Sequence, residues 1–116
     1  MMKSGTNYEQ GDIVLALFPF TDLTTVKQRP VLILSNNDYN SQSDDLVTCG
    51  ITSNLKDSAF SKLINNKDLI KGQIPIESRI KVDKLFTLDK TIIKKKIAKV
   101  KSNVFEDVKK ELLKLL

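Results

Sequence analysis

The sequence holds no histidine and one cysteine, Cys49. Any chemistry must therefore come from Arg, Lys, Thr, Ser, Asp, Glu or Tyr. A zinc site of the usual Cys/His kind cannot be assembled from this set. Histidine general bases and histidine-centred triads are excluded for the same reason. Cys49 has no partner for an internal disulfide, which makes a cytoplasmic setting the expectation, and it reads as a small core residue rather than a reactive thiol. Neither a metal nor another cofactor is expected.

The cations are unevenly placed. Residues 1–58 carry 4 basic and 7 acidic side chains, a balance of −3, whereas residues 59–116 carry 15 and 7, a balance of +8. Clustered positive charge raises the local concentration of a polyanion or of an acidic protein partner. The competing reading is a lysine-rich solvated surface, since 17 of the 19 cations are lysines. At 116 residues the chain has the size of one domain, with a hydrophobic share of 41% and a charged share of 28% typical of a globular protein. No apolar run approaches the roughly 20 residues that cross a bilayer, so no membrane partner is expected.

Residues 1–9 read as a flexible polar tail and 10–116 as a single domain. Ile13 to Phe18 is a short run that is apolar on both faces, as in a strand of a small barrel, and Pro19 ends it. Phe20 to Gln28 reads as a polar loop. Arg29-Pro30 opens a second strand, Val31–Ser35, with proline at a tolerated entry position. The stretch Asn36–Asp45 is rich in turn formers and is either a loop or one helical turn. Strands are expected at Leu46–Thr52, Ala59–Ile64, Ser78–Val82 and Lys95–Val100, with 85–93 ambiguous. Asn103, with Glu106 three residues on, resembles a capping box, and Phe105, Val108, Leu112 and Leu115 then recur at helical spacing. That stripe is either core packing or a contact for a partner. Several short strands and one terminal helix make a mainly β fold, a compact barrel with a docked helix.

Three segments, in order, resemble the MazF/PemK toxin family: Gly11-Asp12-Ile13-Val14 running on to Phe18-Pro19-Phe20-Thr21-Asp22, then Lys27-Gln28-Arg29-Pro30-Val31-Leu32-Ile33-Leu34-Ser35, then Gly50-Ile51-Thr52-Ser53. The segment Arg79–Lys90 is similar to the family's later strand and turn. The resemblance spans residues 10–116. It implies an SH3-like small β-barrel (PemK-like) with a C-terminal helix, a homodimer, metal-independent and sequence-specific cleavage of single-stranded RNA, and neutralisation by an acidic antitoxin. Carried over residue by residue, it makes Arg29 and Thr52 the catalytic pair and adds Asn36 to the RNA-binding residues.

Such cleavage uses the RNA's own 2′-hydroxyl as nucleophile. A guanidinium suits the charge that develops on phosphorus, because its charge is permanent and its donors form a fork matched to phosphate oxygens. Arg29 is therefore assigned to charge stabilisation, with proton donation as a further role, and Thr52 to orienting the phosphate. The general base stays unassigned, since arginine's high pKa makes it a poor base. Phe20 is a candidate for stacking on a base or for barrel-end core, and Tyr39 is similar. Lys27, Gln28, Ser53, Lys56 and Lys84 are candidate phosphate or base contacts. The plainer readings are that Arg29 pairs with Asp12 or Asp22, and that Thr52 is present for strand propensity. Asp83-Lys84 stands where many relatives carry an acidic residue followed by Gln, and Phe86 where several carry a basic one, so the preferred RNA sequence does not transfer. The alternatives are a non-catalytic toxin on the same fold, like the related gyrase poisons, or a degenerate RNA-binding paralogue.

Overall fold

The computed structural model describes residues 7–19 and 26–116. Seven strands form one curled antiparallel sheet: β1 (Asp12–Pro19), β2 (Val26–Ile33), β3 (Asp45–Thr52), β4 (Ser61–Ile64), β5 (Leu69–Gly72), β6 (Ser78–Asp89) and β7 (Ile93–Val100), in the order β4-β6-β3-β2-β1-β7-β5. A short helix, α1 (Asn37–Gln42), links β2 to β3, and α2 (Ser102–Leu115) closes the chain. The expected mainly β barrel with a terminal helix is the architecture found, as an open half-barrel.

The strands at the centre are apolar on both faces because both faces are covered. On one, Ile13, Leu32, Cys49, Ile51, Ile64, Ile80 and Val82 pack with Val104, Phe105 and Val108 of α2. On the other, Val14, Ala16, Val31, Ile33, Leu46 and Leu88 form a second cluster, edged by Tyr8, Phe18 and Ile92. Helix α2 lies over β4 and β6, and a Lys62–Asp107 ion pair of 2.9 Å ties it to β4. Buried Asp12 accepts from the Glu9 amide at 2.9 Å and sits 3.4 Å from Lys96 and 3.7 Å from Lys99.

Several elements differ from the sequence reading. Strand β2 begins at Val26, so Lys27 and Gln28 are strand rather than loop; they pair with Phe18 and Leu17 of β1. Strand β6 runs unbroken through the ambiguous segment to Asp89, and β5 was not expected. Helix α2 starts at Ser102 with Lys101 in the cap position and no capping side chain, so Asn103 lies inside the helix instead of capping it. Residues 1–6 of the expected tail fall outside the described residues, as does Phe20.

Candidate active site

The site is positioned by what the sheet cannot do at Pro30. The β2–β3 ladder runs Val31↔Gly50, Leu32↔Cys49 and Ile33↔Thr48 and goes no further, because proline has no N–H to donate. Beyond it the two strand ends open into a cleft of about 720 Å³. Extending the register by two places sets Arg29 opposite Thr52. Across the next ladder, Thr52 pairs with Arg79 of β6. Directly paired residues share a face, so Thr52 and Arg79 stand side by side on the face that Arg29 occupies on β2 past the end of the β2–β3 ladder.

The cleft wall combines Arg29 and Val31 from β2, Gly50 and Thr52 from β3, Asn54, Lys56, Asp57 and Ser58 from the β3–β4 loop, Lys81, Lys84 and Phe86 from β6, and Phe18 from β1. Four of these side chains are cationic and one, Asp57, is anionic. Such a surface favours an anion. Phe18 and Phe86 meet at one end with ring centroids 5.5 Å apart, tilted by 55°.

Local hydrogen bonds shape the wall. The Thr52 hydroxyl oxygen accepts from the Asn54 amide at 3.1 Å, which occupies a lone pair and leaves the hydroxyl proton to donate. The Asn54 side-chain oxygen Oδ1 in turn accepts from the Lys56 amide at 3.0 Å, fixing the loop that carries Lys56. Opposite the Cys49–Gly50 step, β6 jumps from Leu85 to Lys81 in register. Val82, Asp83 and Lys84 thus form a bulge, a device that re-aims side chains. It brings Lys84 over Gly50, whose missing side chain keeps the floor open: an added Cβ would lie 3.6 Å from the Lys84 Cβ and 3.7 Å from the Phe86 ring. Cys49 faces the other way into the core, fully buried, and burial, with Asp83 adding to it, pushes its thiol up to about 12.

The structure brings Arg29, Thr52, Lys56 and Lys84 into one cleft. Lys27 shares the sheet face of Arg29, opposite Phe18, but stands outside the cleft wall; Gln28 falls on the reverse face. Ser53 is exposed beside Thr52. Asn36 is elsewhere: it caps α1 by accepting from the Tyr39 amide at 2.9 Å, in a separate shallow groove with Tyr39, Leu85 and Leu112. Sequence reasoning missed Phe18, Gly50, Asp57, Ser58 and Lys81 as cleft residues. A signal existed for Lys81: the alternation Arg79-Ile80-Lys81-Val82 puts Arg79 and Lys81 on one face of a strand. Among the described residues, no three His, Cys, Asp or Glu side chains are grouped to hold a metal ion, and no helix is long and apolar enough to cross a membrane.

A curled antiparallel half-barrel with one C-terminal helix is the fold of the MazF toxins. The profile of the PemK-like, MazF-like toxins of type II toxin-antitoxin systems matches residues 9–116. The chain belongs to that family. Solved structures of the same fold include an endoribonuclease from Mycobacterial species, 19% identical over 97% of this chain and 93% of the other, with a TM-score of 0.75. An endoribonuclease in complex with its cognate antitoxin, also from Mycobacterial species, is 20% identical over 92% of each chain, with a TM-score of 0.74. A MazE-MazF structure from Deinococcus radiodurans is 20% identical over 95% of this chain and 96% of the other, with a TM-score of 0.78. A search of curated proteins gives no match.

Proposed function

We propose that this chain, through a single toxin domain spanning residues 10–116, is a metal-independent, sequence-specific endoribonuclease that cuts single-stranded RNA in the cytoplasm. The observation that carries the reading is the meeting of Arg29 and Thr52, 23 positions apart in sequence, in the wall of one cationic cleft. In the proposed reaction the 2′-oxygen attacks the adjacent phosphorus and the bond from phosphorus to the 5′-oxygen breaks. The products are a 2′,3′-cyclic phosphate and a 5′-hydroxyl. Arg29 neutralises the charge on the phosphorane, and Thr52 donates its free hydroxyl proton to a non-bridging oxygen, holding the phosphate in line. Lys56 and Lys84 hold neighbouring phosphates or bases. Phe18 and Phe86 offer an aromatic surface on which a base can stack.

Family membership supports an acidic antitoxin as the protein partner, and the +8 balance of residues 59–116 suits one. A homodimer is part of the same reading. The test is to incubate a long RNA of defined sequence with the protein in EDTA and to map the cut ends. Cyclic-phosphate ends at a short recurring sequence, abolished by Arg29→Ala, are expected. A requirement for magnesium, or cutting that survives loss of Arg29, refutes the mechanism.

A further inference from the structure

Arg79 has no role in the reaction just described, yet it occupies the position on β6 directly paired with Thr52. Its side chain is 11% exposed. Nη1 donates to the Ser61 hydroxyl at 3.0 Å and lies 3.4 Å from an Asp57 carboxylate oxygen. Nε is buried and has no hydrogen-bond partner among the described residues. A buried guanidinium nitrogen left unsatisfied is costly, and native structures rarely leave one so without a reason. The carboxylate is a weak partner: Asp57 is 94% exposed, and exposed ion pairs contribute little. Two residues along the same strand, Lys81 donates to the Ser58 hydroxyl at 2.8 Å, a neutral acceptor, and Ser61 links the two cations by donating to the Ser58 carbonyl at 2.6 Å.

We propose that Arg79 and Lys81 form a second phosphate seat beside Thr52, which Asp57 occupies as a stand-in until a phosphodiester of the RNA adjoining the scissile one displaces it. The inference rests on the cleft being the RNA site. Its chemistry is anion exchange on a fixed fork: one exposed carboxylate leaves for water while a phosphate takes up the guanidinium donors it vacates. Neighbouring strands lie about 4.8 Å apart, so Arg79 stands one strand from a phosphate held at Thr52, with Asp57 against its guanidinium. The β3–β4 loop, which carries Lys56, Asp57 and Ser58, then moves with the exchange.

The experiment measures binding of a fully 2′-O-methylated single-stranded oligoribonucleotide, which has no free nucleophile and so cannot be cut, across a salt series. Each phosphate contact to a single strand contributes about 0.7 to the slope of log affinity against log salt. Arg79→Ala is expected to reduce that slope by about 0.7, Arg79→Lys to retain it with lower affinity, and Asp57→Asn to tighten binding about two- to fivefold, the range an exposed ion pair allows. Asp57 is too exposed to matter to folding, so its variant reports even where Arg79→Ala is unstable. If Asp57→Asn and Arg79→Ala weaken binding alike, or if neither changes it while the wild-type protein still cleaves RNA, the pair only braces the loop and the seat is refuted. If the wild-type protein neither binds nor cleaves RNA, the ribonuclease reading falls first and the seat falls with it.

Discussion

Gly50 separates what the fold needs from what the cleft needs. Its backbone is not in the left-handed region, and a Cβ placed on it meets only side-chain atoms at 3.6 and 3.7 Å, ordinary contact distances. Glycine within a strand costs about 0.5–1 kcal/mol relative to alanine through the freedom it loses on folding. Gly50→Ala should therefore leave the protein at least as stable as wild type, with a gain of up to about 1 kcal/mol, or roughly 3–6 °C in Tm for a domain of this size. Gly50→Val adds an isopropyl group, a Cβ and two methyls, beside Lys84 and Phe86 on the floor of the proposed RNA site. A displacement of a reacting group by about 1 Å can cost on the order of 100-fold in rate. Cleavage of a fluorogenic RNA should thus fall by at least about tenfold in Gly50→Val, while its unfolding free energy in urea stays within about 1 kcal/mol of wild type. Destabilisation of Gly50→Ala would show that the packing around β6 is misread. Wild-type cleavage by a folded Gly50→Val would show that the RNA does not cross this floor.

Three further outcomes follow from the same geometry. With its thiol pushed up to about 12, Cys49 should resist alkylation at pH 8, where about one thiol in ten thousand is ionised, and should react readily in urea; fast labelling of the folded protein would contradict its burial. Gly72→Ala forces a side chain at φ +75 into the Ile97 carbonyl and the Ala98 backbone and should cost about 2–5 kcal/mol, whereas Gly11→Ala, at φ +92 with only Val100 at 3.7 Å, should cost about 1–2 kcal/mol; equal urea midpoints would refute the close approach of β5 to β7. Hydrogen bonds from Lys99 and Lys62 lower Glu9 and Asp107 from their ordinary 4.5 and 3.8, and hydrogen bonds from Thr91 lower Asp89 from its ordinary 3.8. Because these values are depressed in the folded state, the stability they contribute is full above the ordinary values and is lost as pH falls through the folded ones. Urea midpoints should therefore hold steady from pH 7 to 5 and drop below about pH 4; a midpoint that rises on acidification would reverse the sign.

The parts of the molecule written in hydrophobic pattern were legible, and those written in tertiary contact were not. β1, β3 and the face of α2 carry apolar residues at the spacing their burial requires. β5 carries no such mark: in Leu69–Gly72 only Leu69 is buried, and Ile70 is 64% exposed. Its place is set by pairing with β7 and by the preceding turn, where Asn65 and Asp68 cap each other. The capping box expected at Asn103 fails because Lys101 enters the helix directly from β7, with its amide already donating to the Asp68 carbonyl at 2.9 Å. In the site, Lys56 and Lys84 were legible as cations near the resembling motifs. Gly50 and Asp57 were not, since their part depends on where β6 bulges and how the β3–β4 loop folds back.

Without histidine, the proposed ribonuclease site must substitute fixed charge and position for a tunable proton carrier. The sheet supplies both through one proline. Had residue 30 carried an N–H, β2 and β3 would continue their ladder, and Arg29 and Thr52 would be cross-strand neighbours on a closed surface. Because Pro30 is paired normally to Leu15 of β1, β2 stays anchored on one side while its other edge is released. The opening therefore arises beside a rigid strand rather than in a loose loop, which keeps the Arg29 backbone fixed for the proposed role of its charge. Thr52 stays fixed too, because its opposite edge is still paired to Arg79.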